Sequence, residues 1–127
     1  MFEGFLRECE EMIVLIDDER MFKNVPENLV VLRNSEEALE WFNNLSETDV
    51  IEQLWFDHDL GIVDGVKDTT IPVLRWLEEK CFFNDAPNIQ KVIVHTSNNV
   101  GGKEIMSSMS RYYSTVRVFA GDYLTVE

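Results

Sequence analysis

Basic side chains are scarce in this chain: 11 Lys and Arg stand against 24 Asp and Glu in 127 residues, a formal charge of −13 with a pI near 4.4. Duplex nucleic acid demands a basic footprint, so this balance excludes a duplex as the expected partner. Cysteine is nearly absent. Cys9 and Cys81 form no C-x-x-C pair, which excludes a disulfide framework and a thiolate metal site. No apolar run approaches the roughly 18 residues of a membrane-spanning helix, and the opening MFEGFLRECEEM carries acids where a signal peptide needs a basic start. A reduced, cytoplasmic protein with no membrane partner is the expectation. The 6 glycines and 3 prolines nowhere concentrate with serine, so no linker, repeat or low-complexity tract divides the chain. Hydrophobic residues make up 45% and charged residues 28%, ordinary globular usage, and the length suits one hydrophobic core. Residues 1–127 are therefore expected to form a single domain.

Five apolar runs rich in β-branched or aromatic residues read as strands: Met12 to Ile16, Leu29 to Leu32, Leu54 to Phe56, Val92 to Val94 and Val116 to Phe119. The first, third and fourth do not alternate polar with apolar, the pattern of strands buried on both faces of a parallel sheet with helices on each side. Helices fit between them. Asn34 or Ser35 can cap one that carries Ala38, Trp41, Phe42 and Leu45. Asp68, Thr69 or Thr70 can cap another that runs to about Lys80 with Pro72 in its first turn. A third is expected from about Lys103 to Tyr113. The link between the first two strands has only 12 residues and includes Pro26, which leaves little room for a helix and leaves one sheet face short of cover. Residues 1–11 offer a helical extension, with Phe2, Phe5, Leu6 and Cys9 at i, i+3, i+4 and i+7; the same stretch reads equally well as a frayed terminus. The uncovered face is also where a protein partner or a second copy of the chain would dock.

In an open parallel sheet the ligand site lies beyond the carboxyl ends of the strands, and here those ends are polar. Asp17-Asp18-Glu19-Arg20 follows the first run and Asp57-His58-Asp59 the third. The fourth is followed by His95-Thr96-Ser97-Asn98-Asn99 and then Gly101-Gly102. Singly, each has a plain structural explanation as a solvated acidic loop, a packed histidine or a helix cap. Together on one rim, four carboxylates repel unless a cation or shared protons offset their charge, and a divalent ion is the simplest remedy. Aspartate ligation favours magnesium or manganese; adding His58 or His95 would admit zinc or iron-group metals.

Over residues 12 to 119 the arrangement resembles the receiver domain of response regulators: an acid pair after the first strand, Asp57 ending the third, Asp64-Gly65 seven residues on, and Thr96 or Ser97 ending the fourth. A receiver ends its fifth strand with lysine, whereas this chain reads Val118-Phe119-Ala120-Gly121, so the resemblance does not extend to ordinary phosphorelay signalling. The strings Asp17-Asp18-Glu19-Arg20, Asp57-His58-Asp59-Leu60-Gly61 and His95-Thr96-Ser97-Asn98 followed by Gly101 are similar to the cyclic-phosphate processing receiver-like domains of bacteria and phages. That resemblance implies an α/β, three-layer, flavodoxin-like fold with core 12–119. Its five parallel strands would run in the order 2-1-3-4-5, with the first helix shortened or absent. If the chain is phage-encoded, the host cytoplasm is the expected location.

Two functions are compatible with these residues. The first is a metal-assisted phosphoesterase acting on a small or terminal cyclic phosphate, either a cyclic nucleotide or a 2′,3′-cyclic RNA end. Asp17, Asp18, Asp57 and Asp59 would supply the metal ligands, with Asp57 and Asp59 also in the chemistry. His95 would be the general acid and His58 a second ligand, a catalytic group or a structural residue. Arg20, Ser97, Asn98 and the amide of Gly101 would bind the phosphate. The second is a catalytically silent receiver-like module that binds a protein partner or a small phosphorylated ligand.

Overall fold

The computed structural model describes residues 11–119 and 121–127. β1 (Glu11–Ile16) and β4 (Val50–Phe56) form the centre of a parallel sheet. β3 (Leu29–Leu32) flanks β1; β8 (Val92–Val94) and then β9 (Thr115–Arg117) extend the other side, giving the order β3-β1-β4-β8-β9. This is the 2-1-3-4-5 order expected of the five apolar runs. A two-residue strand, β7 (Asn88–Ile89), pairs with the start of β4 before the chain continues into β8. No helix joins β1 to β3. The connection holds only β2 (Met21–Phe22), because Pro26 and the shortness of the link leave no room for more.

Side chains alternate across the sheet as strand geometry requires. Val14, Ile16, Leu54, Phe56, Val92 and Val94 face one core, built against Ala38 and Phe42 of α1 (Ser35–Asn43), Val73, Leu74 and Leu77 of α2 (Ile71–Phe82), and Ile105 and Met109 of α3 (Asn99–Met109). All three described helices therefore pack on one face. Ile13, Leu15, Trp55 and Ile93 point the other way, against Phe22 of β2 and Leu124 of β10 (Tyr123–Leu124), which pairs in parallel with β2. The third layer among the described residues is thus a two-stranded ribbon instead of helices. Its end is fixed by Gln53, whose Nε2 donates to the Glu127 carbonyl at 2.8 Å while its Oε1 accepts from Trp55 Nε1 at 3.0 Å. The stripe of Phe2, Phe5, Leu6 and Cys9 lies outside the described residues.

Local chemistry accounts for the element boundaries. Asn34 caps α1, its side chain accepting from Glu37 N at 2.8 Å. Thr70 occupies the cap position of α2 without a side-chain bond, the Thr69 hydroxyl accepting from Ile71 N at 3.3 Å instead, while Asp68 accepts from the backbone and hydroxyl of Ser35 at the start of α1. α3 begins at Asn99, four residues before the expected Lys103, because Asn98 is its cap and accepts from Gly101 N at 2.8 Å. The segment after β4, not among the five expected strands, forms an antiparallel hairpin of β5 (Asp59–Val63) and β6 (Val66–Thr69). Asp64 and Gly65 turn it with φ of 53° and 79°, the pair of positive angles that a tight two-residue hairpin loop requires.

Candidate active site at the carboxyl edge of the sheet

Parallel strands bring all their carboxyl ends to one edge, and three of those ends converge. Asp17 follows β1, Asp57 follows β4 and His95 follows β8. The backbone ladder continues one step past each strand: Asp17 N donates to Leu32 O, Asp57 N to Ile16 O and His95 N to Phe56 O, at 3.0 to 3.2 Å. Their side chains are buried, and their ligand atoms lie within 4.8 Å of one another. Two carboxylates and an imidazole at that spacing suit a divalent ion, and charge repulsion gives them reason to hold one.

The two acids are held in opposite ways. Burial pushes the Asp17 carboxyl up, but bonds from His95 Nε2 to Oδ2 at 2.9 Å and from the Arg20 and Glu19 amides to Oδ1 at 3.0 and 2.9 Å outweigh it. Its pKa is lowered from 3.8 to about 2. Burial and the neighbouring Asp17 charge push Asp57 up, against the opposing pull of His95, Thr96 and the His58 amide. Arg20 lies across both acids, Nη1 at 3.4 Å from Asp17 Oδ2 and 3.3 Å from Asp57 Oδ2, with Nε donating to the Gly121 carbonyl at 3.1 Å.

A second, more accessible group sits beside this cluster. His58 Nδ1 lies 3.1 Å from Asp59 Oδ1, and Asn98 Nδ2 approaches both His58 Nδ1 at 3.4 Å and Asp59 Oδ2 at 3.2 Å. Burial raises the Asp59 carboxyl, but bonds from Asn98 and His58 bring it below its ordinary value. Asp18 stands outside the buried cluster, with its carboxylate against Gly61 of the hairpin, where a Cβ would fall 2.9 Å from Oδ2. Its pKa is raised by burial and by Asp17, Glu19 and Asp57.

Of the residues singled out in the sequence, Asp17, Asp57, His95 and Arg20 are thus brought together, and His58, Asp59 and Asn98 form the adjoining group. Ser97 is exposed whereas His95 is fully buried. Strand geometry ends at Val94, so the alternation that would align these two side chains does not reach them. Gly101 and Gly102 lie inside the first turn of α3, not ahead of it. Their amides are already bonded to Asn98, and their missing side chains admit the His58 ring and the Arg117 guanidinium.

Arg33 was not anticipated. Its Nη1 donates to the carbonyls of Asp17 at 3.1 Å and Arg20 at 2.8 Å, fixing the loop that carries both. It directly follows the second apolar run, so the rule that marked the other strand ends also reaches it. Arg117 ties β9 to this edge through the Thr96 carbonyl at 3.2 Å, and an open cavity of about 450 Å³ lies beside it, lined by Thr96, Ser97, Asn99, Val118 and Phe119. Another of about 390 Å³, near Phe42 and Trp76, lies at the amino ends of the strands, away from these groups.

No curated protein and no solved structure matches the chain. A family model described as the cyclic-phosphate processing receiver domain matches residues 12–111, the span that carries the sheet apart from its edge strand β9, and every group of the buried cluster. The match covers most of the 127 residues, and the chain belongs to the cyclic-phosphate processing receiver domain family.

Proposed function

We propose that this domain is a metal-assisted phosphoesterase that opens a cyclic phosphate. The observation that carries the reading is the convergence of Asp17, Asp57 and Arg20 beside the more accessible His58–Asp59 pair: charge control for a phosphoryl group lies next to a proton carrier. Asp17, Asp57 and His95 are the residues that would hold the ion. When bound, a divalent ion supplies charge neutralisation at the phosphoryl oxygens and lowers the pKa of water. Asp57, one of the residues that would hold the ion, would accept the proton of the attacking water. His58, oriented through Nδ1–H by Asp59, whose other oxygen accepts from Asn98, delivers a proton from Nε2 to the ester oxygen as its P–O bond breaks. Water thus adds to phosphorus, one ring P–O bond opens, and a phosphomonoester with a free hydroxyl remains. His95, fully buried with Nε2 on Asp17, orients that carboxylate, so the general acid is assigned to His58 instead.

The test is hydrolysis of 2′,3′-cyclic nucleotides, 3′,5′-cyclic nucleotides and cyclic-phosphate-ended oligonucleotides with magnesium, manganese or zinc. Turnover by the wild type that Asp57→Asn abolishes is the expected result; no turnover under any combination overturns the reading. The catalytically silent binding module is the second reading, favoured by one observation: Arg20 already contacts both buried acids and offsets part of their charge. Binding of a nucleotide or a protein partner through this rim without hydrolysis would establish it.

A further inference from the structure

The Arg20 side chain is anchored unlike its backbone. Its amide and carbonyl are fixed by Asp17 Oδ1 and Arg33 Nη1, at 3.0 and 2.8 Å, so the loop itself has little freedom. Its guanidinium instead makes two long contacts, 3.3 and 3.4 Å, to the carboxylate oxygens that would face an ion, and a single bond to the Gly121 carbonyl. It is about 20% exposed, with solvent on one side to receive it. We propose that Arg20 is the resident counter-cation of the site: its guanidinium stands in for a divalent ion between Asp17 and Asp57, and ion entry displaces it outward, freeing it to meet a phosphoryl group and releasing Gly121.

Electrostatics requires some cation here. Two buried carboxylates whose oxygens share one guanidinium nitrogen would repel strongly without it. A divalent ion and the guanidinium compete for the same oxygens, because a coordinating carboxylate oxygen cannot keep a full charge-assisted bond to arginine in the same direction. Once displaced, the planar fork that bound two carboxylate oxygens has the geometry to bind two phosphoryl oxygens. The Gly121 bond gives the exchange a second consequence. Gly121 leads into β10, which pairs with β2 immediately after Arg20, so the side chain that guards the acids also fastens the ribbon over the helix-free face. Occupancy of the site is thereby linked to one of the bonds that hold the start of this segment.

The inference shares the site of the proposed phosphoesterase but not its reaction, so ion binding without substrate tests it. Manganese affinity is measured for the full chain, wild type against Arg20→Gln and Arg20→Lys. Arg20→Gln should melt lower without metal and bind manganese roughly 10 to 100-fold more tightly, with Arg20→Lys between the two. Equal or weaker binding by Arg20→Gln, or binding by neither protein, overturns the proposal. Should Arg20→Gln fail to fold, the wild type still decides. Magnesium saturation should remove the solvent-exchange protection of the Arg20 Nε proton, and protection unchanged by bound ion refutes the displacement. Because no cyclic phosphate is present, failure of hydrolysis leaves this result standing, and failure of displacement leaves hydrolysis to its own test.

Discussion

Asp17 and Asp57 are both buried at the same edge of the sheet, yet their acidities move in opposite directions, and the difference lies in the number of donors each receives. Asp17 takes two backbone amides and an imidazole. Asp57 takes only the His58 amide and the Thr96 hydroxyl, too little against burial and the Asp17 charge. A carboxyl lowered to about 2 stabilises the fold fully above its ordinary 3.8 and loses that contribution as pH falls through 2. Wild type should therefore exceed Asp17→Asn by about 2 kcal/mol near neutrality, a gap that acid denaturation should show closing between pH 4 and 2. Asp57 has the opposite sign: its raised pKa means that its charge opposes folding at neutral pH and that protonation relieves the strain as pH falls. Asp57→Asn should consequently raise the metal-free melting temperature while removing the further rise that millimolar magnesium or manganese gives the wild type. At the adjoining pair, His58→Ala should lower turnover roughly 10² to 10⁴-fold with little change in melting temperature. His95→Ala should instead lower both stability and metal affinity, since it strips a buried carboxylate of its partner.

The shape of each element is set by what its neighbours leave room for. The first turn of α3 contains two glycines, residues with poor helix propensity. A Cβ on Gly101 would overlap the His58 ring, and one on Gly102 would fall 2.7 Å from the Arg117 guanidinium. Gly101→Ala should therefore not yield the gain of about 1 kcal/mol that alanine gives in an open helix. Calorimetry should show a lower melting temperature, and the hydrolysis assay a loss approaching that of His58→Ala, because the methyl group displaces the ring. The hairpin carries the same lesson from the other direction. Gly61 has φ of 77° and packs against Asp18, while Asp64-Gly65 supplies a turn whose Asp-Gly pair is a strong hairpin signal in any sequence. The pair that matches receivers is at the same time the turn of this hairpin.

At the scale of the molecule, among the described residues three helices cover one face of the sheet and a short ribbon covers the other, an unequal partition that makes the ribbon's few apolar side chains matter. Leu124 is 2% exposed against Phe22, Trp55 and Ile93. Leu124→Ala should cost roughly 2 to 5 kcal/mol by denaturant unfolding, with increased dye binding if the face opens. The expected cover for that face is an amino-terminal stripe, which lies outside the described residues, or a partner. Among the described residues, 123–124 return to it, which no local pattern announces, because a two-residue strand has too little periodicity to read.

The sequence by itself determined the sheet. Five uninterrupted apolar runs, a link too short for a helix and polar residues at the strand ends are local properties, and hydrophobic burial acts on them directly. It also marked most of the rim, since residues that follow a parallel strand share an edge whatever the loops do. Only the tertiary structure decided which rim residues meet. The split into a buried Asp17–Asp57–His95 cluster under Arg20 and an adjoining His58–Asp59–Asn98 group depends on side chains separated by up to 78 positions. Their distances follow from how strands and helices pack, and their charges acquire meaning only when burial removes the water that would otherwise screen them.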